Sequence, residues 1–245
     1  MHLLFVIRHT LIGLFYGTVY YQQPNGTDTS AYNNRLSMLF FSLLFVLMSH
    51  QEDIANIIED RAFFYRERSV YSPFAYWLAN LLVQIPFNIF NVTVYSLLVY
   101  FMVGFRPDVM HFLFFWYIML MTDVIGMMVC QVVSNCSSNA QVAMSLFPVS
   151  LFFSTAFEGF IVFIPSFPPW LGWLSYASYM RYSFQALVLN ELGHNSKLPL
   201  ASTYIEQLGF DSLSKWQCAD VLWIFVATAL VSGYSVLRFV NFEKR

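Results

Sequence analysis

Two carboxylates, Asp123 and Glu158, interrupt long stretches of sequence that carry no other charge. Residues 124–157 and 159–180 contain no Asp, Glu, Lys or Arg. A carboxylate in such a setting could relay protons or bind a cation, so it is a functional candidate by default. Proton-coupled transport needs several such groups along one path, and two do not predict it. The sequence leaves open whether they snorkel to an interface or pair with an arginine such as Arg181.

Other reactive side chains form no catalytic or metal-binding pattern. The histidines are scattered, which argues against a membrane di-iron oxygenase. The three cysteines lack C-x-x-C spacing, so neither a disulfide framework nor a four-ligand zinc site is predicted. G-x-S-x-G, H-E-x-x-H and P-loop motifs do not occur in the sequence. We therefore expect no catalytic site, metal or cofactor in this chain.

The densest charge lies in residues 50–72, where Phe63, Phe64 and Tyr65 form an apolar cluster between charged flanks. Helical spacing brings this cluster next to acidic residues four positions away on either side, which predicts an amphipathic helix. Two interpretations follow. The segment is either a solvated loop whose arginines set the topology, or a docking element with the aromatic cluster as its anchor. The charge pattern alone favours neither.

A polar stripe of Asn80, Gln84, Asn88 and Asn91 runs along the next apolar segment, which also contains Pro86. A proline inside a helix removes a backbone hydrogen bond and bends the helix. In a membrane, such a stripe faces neighbouring helices or water rather than lipid. Helix packing is the favoured interpretation, and lining a substrate path is the alternative.

The elements that hold these residues are predicted from composition. The chain has 245 residues, 58% hydrophobic and 11% charged, whereas soluble domains have about 45–50% and about 25%. A net charge of −2 gives no basic footprint for nucleic acid. We predict an all-α membrane protein with six transmembrane helices, at 3–22, 36–57, 75–103, 110–133, 140–163 and 217–240. A signal peptide in 1–22 is the less favoured alternative, since no small-x-small cleavage site follows.

Orientation follows from the arginines of the short loops. The segment 58–72 contains three arginines, whereas the loop 23–35 contains only Arg35. Cationic residues are retained in the cytoplasm, so both termini are predicted to be cytoplasmic. The loop 23–35 and the segment 164–216 then face outward, the latter as a re-entrant helical segment. Asn25, which begins an N-x-T acceptor in the outer loop, is the glycosylation candidate.

Several separated motifs occur in one order along nearly the whole chain. They are Glu59-Asp-Arg-Ala-Phe-Phe-Tyr-Arg-Glu-Arg, Tyr71-Ser-Pro-Phe-Ala-Tyr, Gln84-Ile-Pro-Phe, Phe157-Glu-Gly-Phe-Ile-Val, Trp170-Leu-Gly-Trp-Leu-Ser-Tyr, Arg181-Tyr-Ser-Phe-Gln-Ala-Leu and Asn190-Glu-Leu. Together they resemble the transmembrane domain of the G subfamily of ABC transporters, the white and pleiotropic-drug-resistance type. Several motifs in family order are more specific than any one of them.

The resemblance implies an ATP-driven exporter in which two transmembrane halves enclose a central cavity. This chain would be the permease part for hydrophobic or amphipathic substrates such as lipids, sterols and xenobiotics. ATP and Mg²⁺ would belong to a nucleotide-binding domain that this sequence lacks. The implied partners are that domain, a second transmembrane half as homodimer or heterodimer, membrane lipid and the hydrophobic substrate. The plasma membrane is the expected location, with an endomembrane as the alternative.

A non-transporting remnant or scaffold that dimerises with full-length relatives is the competing hypothesis. Under the exporter hypothesis, the resemblance assigns roles to three groups of residues. The helix 59–72 is the coupling helix, with Asp60, Arg61, Phe63, Phe64, Arg66, Glu67 and Arg68. The substrate cavity contains Phe45, Met48, Phe152 and Thr155, and the outer gate contains Phe160 and Ile161.

This sequence departs from the family pattern at two places. Met48 stands where multidrug members have an aromatic clamp, so stacking of flat substrates is not expected there. The segment 164–216 contains no cysteine, so the extracellular disulfides of some members cannot form within it.

Overall fold

The computed structural model describes residues 2–24, 27–67, 72–193 and 198–239. Within these ranges the chain is helical and contains no β-strand, which confirms the all-α expectation. The α-helices are α1 His2–Val19, α2 Thr29–Met48, α3 Asp53–Glu67, α4 Pro73–Val103, α5 Val109–Cys136, α6 Ala140–Ala156, α7 Tyr179–Leu192, α8 Ala201–Leu208 and α9 Lys215–Phe239. Short 3-10 helices occupy Ser49–Glu52, Ile164–Ser166 and Gly172–Ala177.

Short polar side chains begin several of the helices. At the start of α2, the Asp28 carboxylate accepts a hydrogen bond from the backbone N–H of Ser30. At the start of α4, the Ser72 hydroxyl oxygen accepts one from the backbone N–H of Ala75. Such caps satisfy N–H groups that have no partner in the first turn. Asp108 caps α5, and the His111 ring, which donates to its carboxylate, lowers the pKa of Asp108 below its ordinary value. This cap therefore stays charged at neutral pH.

By length and hydropathy, four helical segments of the described chain could cross a membrane. These four are Thr29–Arg66, Pro73–Val103, Val109–Cys136 and Lys215–Phe239. Helices α1 and α6 are apolar but shorter, so membrane crossing at 3–22 and 140–163 stays a prediction. The re-entrant arrangement of 164–216 also stays a prediction; its described part contains α7, α8 and two 3-10 helices.

The junction between α2 and α3 differs from the predicted boundaries. We predicted a second span over 36–57 and a separate coupling helix over 59–72. The structure has a 3-10 turn at Ser49–Glu52, after which α3 begins at Asp53. The polar side chains of this turn bind other helices, and these tertiary contacts were not visible in the hydropathy pattern.

Helix α5 lies at the centre of the bundle, in contact with α2, α4, α7 and α9. Its residues Phe115, Ile118 and Met119 are fully buried in the core. The end of α5 packs against α3, and Arg8 of α1 binds the 3-10 turn between α2 and α3; we call this the α3 end of the bundle. The start of α2 and the end of α4 lie beside the last turn of α7, at the opposite end, which we call the α7 end.

Helix α9 packs closely against α4 at Gly233. A methyl group added there would lie 2.3 Å from the ring of Trp77, which is 3% exposed and cannot move into solvent. Overpacking of this kind costs about 1–3 kcal/mol. We therefore expect Gly233→Ala to lower the thermal unfolding temperature of the protein in detergent. Gly172→Ala is the control, because its nearest neighbour is the Phe167 Cβ at 3.8 Å; equal unfolding temperatures would contradict the expected clash.

Candidate functional site

An apolar cavity of about 520 Å³ lies between α2, α6 and the turn after α6. Its wall consists of Phe40, Leu44 and Met48 from α2, Pro148, Val149, Leu151, Phe152 and Thr155 from α6, and Ile161. The only polar side chain in this wall, Thr155, donates its hydroxyl hydrogen to the Leu151 carbonyl. Phe152 is 72% exposed, so the cavity opens to the surface of the chain. A ligand would be held there by apolar contact.

The structure brings together three of the four residues predicted for the substrate cavity. Met48, Phe152 and Thr155 line it, whereas Phe45 does not. Phe45 instead packs against Tyr95 of α4, with ring centroids 4.9 Å apart, and against His9 of α1 at 5.1 Å. The side chain therefore belongs to the packing between α1, α2 and α4.

The two predicted gate residues follow α6 in a tightly packed turn. Gly159 has a φ of 102°, and a Cβ there would lie 3.1 Å from both Ile164 and Phe210. This left-handed conformation favours glycine. The Phe160 ring lies 5.0 Å from the ring of Phe40, a residue of the cavity wall, and Ile161 lines the cavity itself. Both residues are thus adjacent to the apolar cavity.

Arg61 of α3 is buried and binds the turn between α5 and α6. Its Nη1 donates to the carbonyl oxygens of Ser134, Asn135 and Ser137 at 3.0, 3.2 and 2.8 Å. Arg61 as a whole is only 4% exposed. The last carbonyls of a helix lack intrahelical donors and carry partial negative charge, so a cation is favoured at this position. Arg61 therefore ties α3 to the end of α5.

The remaining predicted coupling residues divide between two faces of α3. Phe64 is buried and stacks on Tyr76 of α4, with centroids 4.3 Å apart. Asp60, Phe63 and Arg66 are exposed. Residues three apart share a helix face, so Arg61 and Phe64 point inward together. The aromatic cluster is thus not one surface anchor, because its central ring belongs to the core.

Three predicted site residues lie at positions without a full structural description. The side chain of Glu67, the whole of Arg68 and the glycosylation candidate Asn25 lie outside the described residues.

Asp123 forms an ion pair that the sequence did not reveal. Its Oδ1 lies 3.0 Å from His50 Nε2, and the other ring nitrogen of His50 lies 3.4 Å from Asp53 Oδ2. His50 and Asp123 are 3% and 2% exposed. Asp123 therefore neither snorkels nor pairs with Arg181, the two possibilities considered from sequence. The scattered histidines gave no signal of this pair, since its members are 73 positions apart.

The polar stripe of α4 faces α5. The Gln84 side-chain oxygen accepts from Gln131 at 3.4 Å, and Asn88 lies 3.4 Å from the Met127 sulfur. Asn91 is buried and lines a polar pocket near His50. These contacts agree with the favoured packing interpretation.

Glu158 is fully buried after the end of α6. Neither carboxylate oxygen has a hydrogen-bond partner among the described residues. Arg181, the suggested partner, donates to Ser175 Oγ at 2.8 Å and lies over the Tyr176 ring instead. The pair with Arg181, one of the alternatives left open by the sequence, is therefore not formed in the described structure.

A second buried ion pair joins Arg35 of α2 to Glu191 of α7, at the α7 end. Arg35 Nη1 lies 2.5 Å from Glu191 Oε1, and the side chains are 1% and 4% exposed. Arg35 also donates to the carbonyls of Gly104 and Gln23 at 3.2 and 2.8 Å. The other Glu191 oxygen accepts from the backbone N–H of Arg106 at 3.0 Å. The pair thus joins α2, α7 and the loop between α4 and α5.

The long apolar helices and the apolar cavity define this chain as an α-helical integral membrane protein. The family model described as ABC-2 type transporter matches residues 1–192. The chain therefore belongs to the ABC-2 type transporter family, and the resemblance to the membrane domain of G-subfamily ABC transporters is confirmed. ABC transporters carry their ATPase in another domain.

Similar proteins come from several kingdoms. The chain is 31% identical to ABC transporter G family member 2 of Dictyostelium discoideum over 76% of its own length. It is 26% identical to ABC transporter G family member 36 of Oryza sativa over 96%, and 26% identical to multidrug resistance protein CDR2 of Candida albicans over 86%. The matched region covers only 14%, 17% and 14% of these three relatives.

Proposed function

We propose that this chain is the permease part of an ATP-driven exporter for hydrophobic or amphipathic compounds. The apolar cavity of about 520 Å³ is the observation that carries the proposal. Its wall offers carbon surface to a ligand, and burial of apolar surface contributes about 25 cal/mol per Å². Sugars and ions would lose hydrogen bonds to water there and gain none from the wall. Lipids, sterols and amphipathic xenobiotics are therefore the proposed substrates.

The proposal includes a path from the ATPase to the cavity. The exposed Asp60, Phe63 and Arg66 form the surface on which a nucleotide-binding domain docks. A displacement of α3 would then reach the α5–α6 turn through Arg61, which holds the carbonyls of that turn. Helix α6 begins directly after this turn and supplies five cavity residues. Motion at α3 would therefore move one wall of the cavity, with Phe160 and Ile161 as the outer gate.

The open side of the cavity supports a second transmembrane half as partner. Phe152 and Val149 are exposed on the cavity side of α6. A second half placed there would close the cavity and cover these side chains. We place the assembled exporter in the plasma membrane.

The exporter proposal is tested with the intact transporter, including its nucleotide-binding domain, in lipid vesicles. We expect ATP turnover and vesicle uptake to rise with a sterol, a phospholipid or an amphipathic drug, and not with a sugar of similar mass. Turnover that no hydrophobic compound stimulates would contradict the proposal.

Truncation of Phe152 tests the cavity itself. We expect Phe152→Ala to weaken the apparent affinity for a hydrophobic substrate by about 5–30-fold, because removing the ring forfeits about 1–2 kcal/mol of apolar contact. The concentration dependence of substrate-stimulated ATP turnover gives this affinity. Leu146→Ala is the control, since Leu146 is exposed on the same helix but lies outside the cavity wall. Equal effects of the two variants would place substrate binding elsewhere.

A further inference from the structure

A cleft of about 1020 Å³ lies at the α7 end of the bundle, between the last turn of α7, α8 and the start of α9. Arg106, from the loop between α4 and α5, and His111 of α5 also line it, and we call it the α8 cleft. No described residue lines both this cleft and the apolar cavity. Ligand pockets usually have about 300–1,000 Å³, so the α8 cleft has room for a lipid-sized molecule.

Much of the wall of the α8 cleft is apolar. Leu189 of α7, Ile205 of α8 and Leu213 of the following loop line it, and each is half-buried. Leu192 and Phe210 also border the cleft but are fully buried, so the half-buried residues provide its contact surface. A hydrocarbon chain that covered this surface would gain free energy from the apolar area removed from water.

Two basic side chains, Arg106 and Lys215, line the cleft next to each other. Lys215 Nζ donates to Asn190 Oδ1 at 3.1 Å, and Arg106 Nη1 donates to the Gly193 carbonyl at 3.3 Å. These acceptors are three positions apart at the end of α7, which places the two cations on neighbouring positions. Both side chains are half-buried. Neither forms an ion pair with a carboxylate of the described chain.

The carboxylates near the cleft are in a different setting. Glu206 and Asp211 line it but are exposed. Asp108, two residues after Arg106, accepts from the His111 ring at 2.6 Å and caps α5. Water and salt screen exposed charges strongly, whereas charges beside an apolar wall are screened less. The half-buried cations therefore favour an anionic ligand over a cationic one.

We propose that the α8 cleft binds an amphipathic anion, whose charged group lies between Arg106 and Lys215 and whose hydrocarbon chain covers Leu189, Ile205 and Leu213. The guanidinium and the ammonium donate charge-assisted hydrogen bonds to the anionic group. An inorganic anion would use only the cations, and a neutral lipid would use only the apolar wall. The site does not depend on the proposed export function, because its residues are separate from the apolar cavity.

Photolabelling of the intact transporter in nanodiscs of neutral phospholipid tests the α8 cleft. The probe is a long-chain alkyl sulfate with a diazirine in its chain, and its parent alcohol is the neutral probe. Labelled residues are identified by mass spectrometry at increasing probe concentration. We expect the sulfate to half-saturate the labelling of Ile205 and Leu213 at a concentration at least about tenfold lower than the alcohol. Val231, which is 66% exposed on α9 and outside the cleft, reports non-specific contact and should be labelled equally by both probes.

Removal of one charge should weaken this preference. Lys215→Met keeps an apolar stem but loses the ammonium, so the half-saturating concentration of the sulfate should rise about 5–10-fold. That of the alcohol should stay within about twofold. Lys215→Arg keeps the charge and should leave the value for the sulfate within about threefold. Arg238→Met is the control, because Arg238 is an exposed cation at the other end of α9.

Several outcomes would overturn the proposal. Equal half-saturation by the sulfate and the alcohol in the unaltered protein would do so whether or not the variants fold. Labelling no stronger at Ile205 and Leu213 than at Val231 would show that the sulfate only partitions into lipid. If inorganic sulfate at the same concentration as the probe prevents labelling, the cations bind an anion without the apolar wall. Equal losses in Lys215→Met and Arg238→Met would assign the preference to the overall charge of the protein.

Discussion

Glu191→Gln is expected to destabilise the protein by about 3–5 kcal/mol. The substitution preserves the size of the side chain but leaves the guanidinium of Arg35, 1% exposed, without its counter-charge. An uncompensated buried charge costs more than the intact pair contributes. Thermal unfolding in detergent, followed by intrinsic tryptophan fluorescence, should show a clearly lowered midpoint. The double variant Arg35→Met with Glu191→Gln should lose less stability than Glu191→Gln alone, because it retains no buried charge at this site.

The pair of Arg8 and Glu52 provides a matched control. These side chains are also 2.5 Å apart, but they are 23% and 62% exposed. Solvent-exposed pairs contribute about 0–1 kcal/mol, so Glu52→Gln should shift the midpoint little. If Glu52→Gln and Glu191→Gln lower the unfolding midpoint equally, the buried pair at the α7 end contributes no more to stability than the exposed pair.

The sequence predicted the helical elements where the signal was local. The spans predicted at 75–103 and 110–133 lie within α4 and α5. Composition gave the membrane class for the same reason, since hydropathy is a property of each segment alone. The span predicted at 140–163 extends beyond α6, which ends at Ala156 and is followed by a turn in which Gly159 adopts a left-handed conformation.

The site was predicted only in part, because its geometry depends on packing between distant segments. Met48 and Phe152 were placed in the cavity by resemblance, and the structure brings them together. Phe45 is also apolar but packs against α1 and α4, where His9 and Tyr95 contact its ring. Spacing shows that Arg61 and Phe64 share a helix face. Only the position of the α5–α6 turn shows that this face is the buried one.

Arg61→Leu is expected to abolish the coupling of ATP turnover to export, with at least a tenfold loss of uptake while ATP hydrolysis continues. The reason is geometric: without the guanidinium, the carbonyls of Ser134 and Ser137 no longer follow α3. Hydrogen bonds from a charged donor contribute about 1.5–3 kcal/mol, so the unfolding midpoint should fall as well. Uptake and ATP turnover are measured in parallel on the intact transporter in vesicles. Arg61→Lys should recover only part of the uptake, because an ammonium cannot reproduce the planar fork of donors.

The variant Arg66→Leu distinguishes an effect on export from an effect on the stability of the fold. Arg66 lies on the same helix but is exposed, and surface substitutions change stability by about 0.5 kcal/mol or less. We expect this variant to lose export through weakened docking of the nucleotide-binding domain, with an unchanged unfolding midpoint. Arg61→Leu should lose both export and stability, since its side chain connects α3 to the α5–α6 turn inside the bundle. If Arg61→Leu exports normally despite a lowered unfolding midpoint, Arg61 stabilises the fold but does not transmit motion. The route from α3 to the cavity would then involve other residues.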